Sequence, residues 1–333
     1  MVSSAYAEDW IERGNECLQA GDAEQAVELF DKAIEVDPAN AQAWYCKGCA
    51  LGVLERHAEA ASAYLECSRL EPDRSIVWYN LGNALQSLEQ FDEALNCFAI
   101  ATQLDPADAD AWINRGRLLD DRGESQEAVN CYNHALELAP EDVVAWANRG
   151  NSLANLGRPE EAMISYRKAL TLDDSYWQAH LGASQALMQL ERYVEALQHV
   201  DQGLEQVPED ACAWCNRGLM LAHLDRDEEA LSSFRKAAEL DPDEPVIWNN
   251  LGESLLRLED FSGASEAFRE AIELDGRFAP AWFGQARALI LLGEVDAALD
   301  ACQKVLDLTD PDDPLFAATH EVMQICAEGT DDD

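Results

Sequence analysis

Five asparagines recur at one equivalent position and carry groups that could bind another polypeptide. Each lies two residues after a tryptophan and two before a glycine, as in AWINRG at residues 111–116. An asparagine inside a helix costs about half a kcal/mol relative to alanine. Its carboxamide, however, offers one acceptor and two donors, which match the C=O and N–H groups of an extended peptide backbone. The residues are Asn80, Asn114, Asn148, Asn216 and Asn250.

Two CxxC pairs are the clearest candidates for metal chemistry. Cys46 with Cys49 and Cys212 with Cys215 would supply four thiolates to zinc if the pairs converged. The pairs are far apart in the sequence, and the i,i+3 spacing within a helix does not resemble a zinc knuckle. We therefore expect no metal and no cofactor.

Catalytic motifs are missing from the sequence. It contains no HExxH, no phosphate-binding glycine loop, no G-x-S-x-G and no dinucleotide fingerprint. We expect a protein that is not an enzyme. The histidines are dispersed over the chain: His57, His134, His180, His199, His223 and His320.

Tryptophans recur with a period of 34 residues and define the organisation of the chain. They are Trp10, Trp44, Trp78, Trp112, Trp146, Trp214, Trp248 and Trp282, with His180 at the vacant node. Residues 1–6 form an N-terminal lead-in, and 313–333 are expected to form a capping helix and an acidic tail. The nine units are 7–40, 41–74, 75–108, 109–142, 143–176, 177–210, 211–244, 245–278 and 279–312.

Small and aromatic residues recur within each unit and predict a pair of antiparallel helices. In the second unit, Gly48 follows the tryptophan by four residues, Ala60 comes twelve later, and Tyr64 four after that. Small residues let two helices approach closely, and the rings fill the space beside the crossing. One such pair has too small a core to be stable alone, so the units must stack.

This pattern resembles the tetratricopeptide repeat (TPR) family, whose W-x2-L-G-x2-Y, A-x3-F and P signature it follows over residues 7–312. The resemblance implies an all-α, right-handed superhelical solenoid. First helices would line a concave groove, and second helices would lie mostly on the convex side. The segment DPLFAATHEVMQICAEG is expected to close the last apolar face.

The sixth unit departs most from the pattern. His180 replaces the tryptophan, Ser184 the glycine, Val200 the ring and Gly203 the usual alanine. Trp177 or the preceding tyrosine could refill the gap. Two outcomes remain open, a soft joint between repeats or a repacked and rigid one.

Carrying the family's groove positions onto this sequence places mostly neutral side chains in the groove. Packed helices lie about 8 to 10 Å apart and an extended chain advances about 3.3 Å per residue. One amide per repeat would then meet about every third peptide unit. Long arrays of the family, such as the one preceding the catalytic domain of O-GlcNAc transferase, look similar in carrying an asparagine row. Besides the five asparagines, the expected peptide-binding residues are Asn83, Asn151, Tyr45, Tyr79, Ile113, Arg117 and Phe283.

Two features limit this interpretation. The asparagines could instead solvate the groove or bond a neighbouring repeat. In addition, the lysines with which a related dicarboxylate clamp grips chaperone tails are missing, which argues against an adaptor for such tails.

Overall composition excludes several classes of partner. The chain has 65 acids and 23 bases, a net charge of −42, which would repel nucleic acid. No segment has the length of apolar sequence that membrane insertion requires, and scattered cysteines favour a reducing compartment. We expect a cytoplasmic protein whose oligomeric state is open, with a monomer favoured.

These observations favour a protein-interaction scaffold that binds an extended peptide segment of a partner, as an adaptor or assembly factor. The alternative is a regulatory or targeting subunit that docks on an enzyme through its acidic convex surface. Ionic strength separates the two, because charge-based docking weakens steeply with salt.

Overall fold

The computed structural model describes residues 2–329, and this part consists of 19 helices without a strand. Met1 of the predicted lead-in and residues 330–333 of the predicted acidic tail lie outside the described residues. The chain divides into two compact units, Met1–Arg158 (unit 1) and Pro159–Asp333 (unit 2). The all-α class predicted from the sequence is confirmed.

Unit 1 contains consecutive helix–turn–helix pairs and one further helix. Each first helix packs on the second helix of its own pair, and each second helix packs on the next first helix. The helices are α1 (Val2–Gln19), α2 (Ala23–Val36), α3 (Ala41–Val53), α4 (His57–Leu70), α5 (Ser75–Ser87), α6 (Phe91–Leu104), α7 (Ala109–Asp121), α8 (Ser125–Leu138) and α9 (Val143–Asn155).

Unit 2 continues the same arrangement and closes with an additional helix. Val322 and Met323 of the last helix pack against buried Ala286 and Ala301. The helices are α10 (Pro159–Leu172), α11 (Trp177–Gln189), α12 (Tyr193–Gln206), α13 (Ala211–His223), α14 (Asp227–Leu240), α15 (Pro245–Arg257), α16 (Phe261–Leu274), α17 (Ala279–Leu291), α18 (Val295–Leu308) and α19 (Pro314–Gly329).

The tryptophans tie each first helix to the loop that precedes it. The indole Nε1 of Trp44 donates to the carbonyl of Pro38 at 3.0 Å, and Trp214 donates to Pro208 at 2.9 Å. The same bond joins Trp78, Trp112, Trp146, Trp248 and Trp282 to the carbonyl six residues earlier. Each bond fixes the entry of the chain into a first helix.

The glycine four residues after the tryptophan makes room for the aromatic ring of the same repeat. A Cβ built on Gly48 would lie 2.5 Å from Cε1 of Tyr64, and one on Gly82 would lie 2.8 Å from Cε1 of Phe98. Separations this short are not tolerated, so the ring and the glycine depend on each other.

In repeat six, other side chains replace the hydrogen bond and the packing of the missing tryptophan. The Nε2 of His180 bonds the carbonyl of Asp174 at 3.0 Å, six residues earlier, and so replaces the indole bond. The Nδ1 of His199 lies 2.9 Å from the Nδ1 of His180, and this second imidazole stands where most repeats carry alanine, serine or cysteine. Two imidazoles thus replace one indole and a small residue.

The glycine position of repeat six changes together with the ring position. Ser184 and Val200 are both buried, and the small valine takes the place of the ring that elsewhere requires a glycine. Gly203 accommodates Leu181, because a Cβ there would lie 2.5 Å from Leu181 Cδ2. The space left by the missing ring is therefore repacked by other side chains.

Candidate functional site

The first helices of unit 1 position the asparagines beside polar groups of the preceding repeat. The Nδ2 of Asn80 donates to the hydroxyl of Tyr45 at 3.3 Å. The Nδ2 of Asn114 donates to the hydroxyl of Tyr79 at 3.3 Å and to Oδ1 of Asn83 at 3.2 Å. Both asparagines are half-buried. These contacts bring together five of the predicted site residues.

The residue 35 positions earlier decides whether an asparagine has an intramolecular partner. Tyrosine stands there for Asn80 and Asn114, and in unit 2 the sulfur of Cys215 accepts from Asn250 at 3.4 Å. For Asn148 that residue is Ile113, which cannot accept, and the Asn148 carboxamide bonds no other described residue. The alternative that asparagines bond a neighbouring repeat therefore applies to some repeats only.

Asn83 and Asn114 together present one donor and one acceptor. Asn114 uses both Nδ2 hydrogens within the protein, which leaves its Oδ1 as an acceptor. Asn83 accepts through Oδ1, and its Nδ2 has no partner among the described residues. The pair therefore complements the N–H and C=O of a peptide backbone.

Tyr45 is held as a neutral phenol next to a small depression. Burial, followed by the neighbouring thiol of Cys49, raises the pKa of Tyr45 to about 12. The guanidinium of Arg74 lies 4.3 Å from the centroid of the ring. A cavity of about 200 Å³ opens beside Asn80 and Asn83, and it is lined also by Tyr64. A neutral hydroxyl can both accept and donate, which suits contacts to an uncharged backbone.

The centre of this face carries charges of both signs beside its amides. Arg117 is exposed on α7 and makes no ion pair with a described residue. Asp120 on the same helix accepts from the Ser152 hydroxyl at 2.6 Å, and burial raises the pKa of its carboxyl. Asn151 is exposed on α9. Besides amides, the centre therefore offers the exposed guanidinium of Arg117 and, on the same helix, the exposed carboxylates of Asp110 and Asp121.

The beginning of unit 1 is acidic instead. A depression of about 520 Å³ between α1 and α3 is lined by Glu8, Glu12 and Glu16 and by the amides of Asn40 and Gln42. A segment bound along the first helices would meet only carboxylates among the charged groups of this depression, and charges of both signs at the fourth repeat.

In unit 2 the charged groups of the predicted groove are already paired. Arg287 bonds both carboxylate oxygens of Glu253 at 2.8 and 2.9 Å, and its guanidinium lies 5.9 Å from the centroid of Phe283. Arg257 pairs with Asp225 at 2.9 Å. Because these arginines are already paired, the amides are the polar groups of the unit 2 groove that we expect to contact a ligand.

A packing constraint interrupts the asparagine row at repeat six. A Cβ on Gly182 would lie 2.6 Å from the ring of Tyr166, so an asparagine cannot take this position. Gly284 in repeat nine has the same relation to Phe268, at 2.3 Å. In unit 2 the carboxamide of Asn216 bonds no other described residue, because Leu181 precedes it by 35 positions. A ring also precedes Asn80, Asn114, Asn148 and Asn250, so the ring alone does not interrupt the row. In repeats six and nine the glycine two residues later is replaced as well, by Ser184 and Ala286.

The CxxC cysteines take part in separate local contacts. Cys46 is buried and accepts from Gln42 Nε2 at 3.1 Å, and burial raises the pKa of the Cys46 thiol. The sulfur of Cys49 accepts from the Tyr64 hydroxyl at 3.5 Å. Cys212 is exposed. Among the described residues, no group of three or more metal-ligating side chains is found.

Sequence reasoning missed the bond between Asn83 and Asn114. Both residues were predicted at the site, but as independent ligands of a peptide. Their spacing of 31 residues joins the ninth position of one repeat to the sixth position of the next. This spacing is the signal that could have predicted the pair.

Comparisons with known proteins agree with this architecture. Family models described as tetratricopeptide repeat or TPR repeat match residues 14–52, 73–141, 113–180, 165–211, 181–245 and 249–314. The chain belongs to the tetratricopeptide repeat family. In this TPR protein the stacked helix pairs form a protein-interaction scaffold.

One curated relative and two solved structures describe the range of similarity. An uncharacterised protein of Methanocaldococcus jannaschii, MJ0572, is 41% identical over 58 residues, 17% of this chain and 67% of the relative. Pseudomonas aeruginosa PilF is 22% identical, with a TM-score of 0.57 over 65% of this chain and 98% of its own. A chain of the APC/C hetero-tetramer Cut9–Hcn1 is 16% identical, with a TM-score of 0.58. The match covers 92% of this chain and 59% of the other chain. At these identities the two structures show the fold alone.

None of the described helices of the TPR protein has an apolar stretch long enough to cross a membrane.

Proposed function

We propose that this TPR protein is a non-enzymatic scaffold that binds an extended segment of a partner protein along the first helices of unit 1. The observation that carries the proposal is the Asn83–Asn114 pair, with its free donor and free acceptor on one face. Side chains of the partner would contribute less than its backbone. An adaptor or assembly factor that receives several partners needs this recognition of the backbone rather than of particular side chains.

The neighbouring groups of unit 1 support the same ligand. Asn80 keeps a free Oδ1 beside the cavity of about 200 Å³, and Asn148 keeps its whole carboxamide. Each hydrogen bond contributes about 1 kcal/mol net. The groups named make about five such bonds, about 5 kcal/mol in all. Micromolar affinity corresponds to about 8 kcal/mol, so a segment that binds this tightly must also use contacts at other repeats.

Arg117 adds a preference within the segment. It is exposed on α7 together with Asp110 and Asp121, so an acidic side chain of the bound segment fits beside the guanidinium itself, whereas the Glu8–Glu12 end fits a basic one. Unlike the backbone contacts, these two contacts depend on ionic strength.

The second candidate is docking on an enzyme through the acidic surface of the second helices. The net charge of −42 supports it, and the groove positions account for little of that charge. Binding by this surface would weaken steeply with salt, whereas amide contacts would not.

The test uses a library of random 16-residue peptides displayed on phage and selected against the wild-type chain. The groove variant is Asn80→Ala/Asn114→Ala/Asn148→Ala, and helicity is maintained because alanine is the better helix former. The matched control is Gln103→Ala/Asn130→Ala/Gln198→Ala, which removes three exposed amides from second helices.

Selected peptides should bind the groove variant about tenfold more weakly and the control variant as well as wild type. Equal loss in both variants, or loss in the control only, would reject the first-helix face. Affinity that falls steeply between about 50 and 500 mM KCl in all three proteins would favour the acidic surface.

A further inference from the structure

The face of Trp78 has different surroundings from the faces of other tryptophans in unit 1. In most repeats a cation three residues after the tryptophan lies over its ring. Lys47 Nζ is 5.6 Å from the centroid of the Trp44 ring, and the guanidinium of Arg115 is 5.5 Å from that of Trp112. The equivalent residue of the third repeat is Leu81, which is buried.

The polar partner of that cation is also replaced. Lys47 bonds Asp31 at 2.6 Å, sixteen residues earlier, on the second helix of the preceding repeat. The residue sixteen positions before Leu81 is Leu65, which is 41% exposed. An ion pair between neighbouring repeats is thus exchanged for two leucines.

A third position beside the tryptophan also changes from a basic to an apolar side chain in the third repeat. Lys32 lies 5.2 Å from the centroid of the Trp10 ring, and His134 stacks on Trp112 with ring centroids 4.7 Å apart. Both lie 22 residues after their tryptophan. The equivalent residue in the third repeat is the half-buried Ile100.

These replacements open an apolar cleft of about 500 Å³, the Trp78 cleft, between α4 and α6 with α5 as its floor. One repeat later the corresponding depression is lined by charged groups, including Arg115, Glu124 and Glu127. The residues of the Trp78 cleft are Ala58, Ala61, Ser62, Leu65, Trp78, Leu81, Leu85, Leu88, Gln90, Glu93, Asn96, Cys97 and Ile100.

The charge of the cleft indicates the sign of its partner. Glu93 is the charged side chain in the described lining, and it makes no ion pair with a described residue. No lysine or arginine lines the cleft. An apolar ligand with a positive charge beside its apolar groups complements this lining, and the net charge of −42 attracts it.

We propose that the Trp78 cleft docks an amphipathic helix of a partner protein, with apolar side chains inserted between α4 and α6 and a lysine or arginine beside Glu93. A helix presents apolar side chains at i, i+3 or i+4, and i+7 along one stripe, which fits a trough between two helices. The cleft lies on the side of the second helices, so it is independent of the asparagines on the first helices.

The decisive variant is Leu65→Asp/Leu81→Arg. It rebuilds in the third repeat the pair that Asp201 and Arg217 form in the seventh, where Nε and Oδ1 are 2.7 Å apart. Net charge is unchanged, so any general attraction of a cationic peptide to the acidic chain is kept. A second variant, Ile100→Lys, places a cation over Trp78 as Lys32 lies over Trp10.

The probe is a fluorescent amphipathic peptide of leucine and lysine, about 18 residues and five helical turns long. Its counterpart carries glutamate in place of lysine. Affinities are measured by anisotropy at about 150 mM KCl, where the Debye length is about 8 Å. Circular dichroism and thermal unfolding establish that each variant is folded.

Wild type should bind the leucine–lysine peptide at least about tenfold more tightly than the double variant. Ile100→Lys should weaken it as well, and the glutamate peptide should bind none of the three. Equal affinity for wild type and both variants would overturn the proposal, because binding would then be electrostatic attraction alone. A concentration-dependent dimer that the double variant abolishes would also overturn it, since the cleft would then receive a second copy.

Discussion

Asn114 shows that one repeated residue offers different groups in different repeats. Its two N–H groups are used by Tyr79 and Asn83, so only its carbonyl oxygen is available to a ligand. Asn148 has an isoleucine 35 residues earlier and keeps all its groups. What an asparagine offers therefore depends on the residue before it in the stack.

Asn83→Asp tests the donor at residue scale. An aspartate can still accept from Asn114 Nδ2, so the contact between α5 and α7 remains. It cannot donate to a peptide carbonyl, so affinity for a selected peptide should fall about tenfold, about 1.4 kcal/mol. Unfolding temperature should stay close to wild type.

The control for this change is Asn130→Asp, an equally charged substitution at an exposed site on α8. Both variants are titrated with the same peptide at two salt concentrations. If Asn130→Asp weakens binding as much as Asn83→Asp, the loss comes from added charge and the donor assignment is wrong.

The His180–His199 contact predicts a dependence of stability on pH. Because a carbonyl only accepts, His180 carries its proton on Nε2, and the Nδ1–H of His199 donates to the bare Nδ1 of His180. Burial, and then the nearby His180, lowers the pKa of His199 below its ordinary 6.5, while Glu195 acts in the opposite direction. Glu195 itself is bonded to Arg192 and lies near Arg167.

The sign of the effect follows from proton binding. Below pH 6.5 the unfolded chain binds a proton at His199 that the folded chain rejects, so the free energy of unfolding falls as the pH falls. This contribution is fully present above that pH and is lost progressively below it.

His180→Trp/His199→Ala, which restores the pair of the eighth repeat, Trp248 and Ala267, should remove this contribution. Chemical unfolding at pH 7.5 and 5.5 gives the change in the free energy of unfolding with pH for wild type and for the variant. Comparing the two changes removes the contribution of the carboxylates, which both proteins share. Equal pH dependence of the two proteins would show that the histidine pair does not control it.

At the scale of the elements, the turns between paired helices hold one residue with positive φ. Glycine fills this position in some repeats, with φ of 77° at Gly123, whereas Glu89 adopts 60° at the same place in the third repeat. A non-glycine residue with positive φ costs about 1 to 2 kcal/mol of stability. A glycine costs about 0.5 to 1 kcal/mol instead, because it loses more conformational freedom on folding.

Glu89→Gly should therefore stabilise unit 1 by about 0.5 to 1 kcal/mol. Gly123→Ala is the matched opposite and should destabilise it, although no atom lies within 4 Å of the added Cβ. Urea unfolding measures both. If Glu89→Gly is neutral or destabilising, the turn gains something from the glutamate that its backbone conformation does not reveal.

Repeated spacing predicted the helices well because most repeats use the same contacts. The tryptophan bond to the carbonyl six residues earlier and the glycine under the ring recur almost unchanged. The exceptions depend on pairs from different helices, such as His180 with His199 or Leu65 with Leu81. A single sequence shows each of these residues as an isolated departure, and only the packing shows that the two changes compensate.

The site was predictable in position but not in hydrogen bonding. The periodic asparagines were found from their spacing, whereas the direction of each amide depends on whether tyrosine, cysteine or an apolar residue lies 35 positions earlier. The Trp78 cleft could not be predicted, because it needs three positions from two repeats to be apolar at once.

At the scale of the whole molecule, the net charge of −42 opposes folding through repulsion among carboxylates. The exposed ion pairs contribute little. Raising KCl from about 10 to 300 mM shortens the Debye length from about 30 Å to less than 10 Å, so the free energy of unfolding should rise. Stability that stays constant or falls over this range would show that ion pairs outweigh the repulsion.

The central claim is that the first helices of unit 1 recognise the backbone of an extended segment. The most direct measurement replaces each backbone N–H of a selected peptide in turn by N-methyl and compares the result with an alanine scan of its side chains. Packed helices are about 8 to 10 Å apart, and extended residues advance about 3.3 Å. Binding should fall about tenfold at about every third N-methyl position, with smaller losses in the alanine scan. Losses confined to alanine substitutions, with N-methylation tolerated throughout, would contradict backbone recognition.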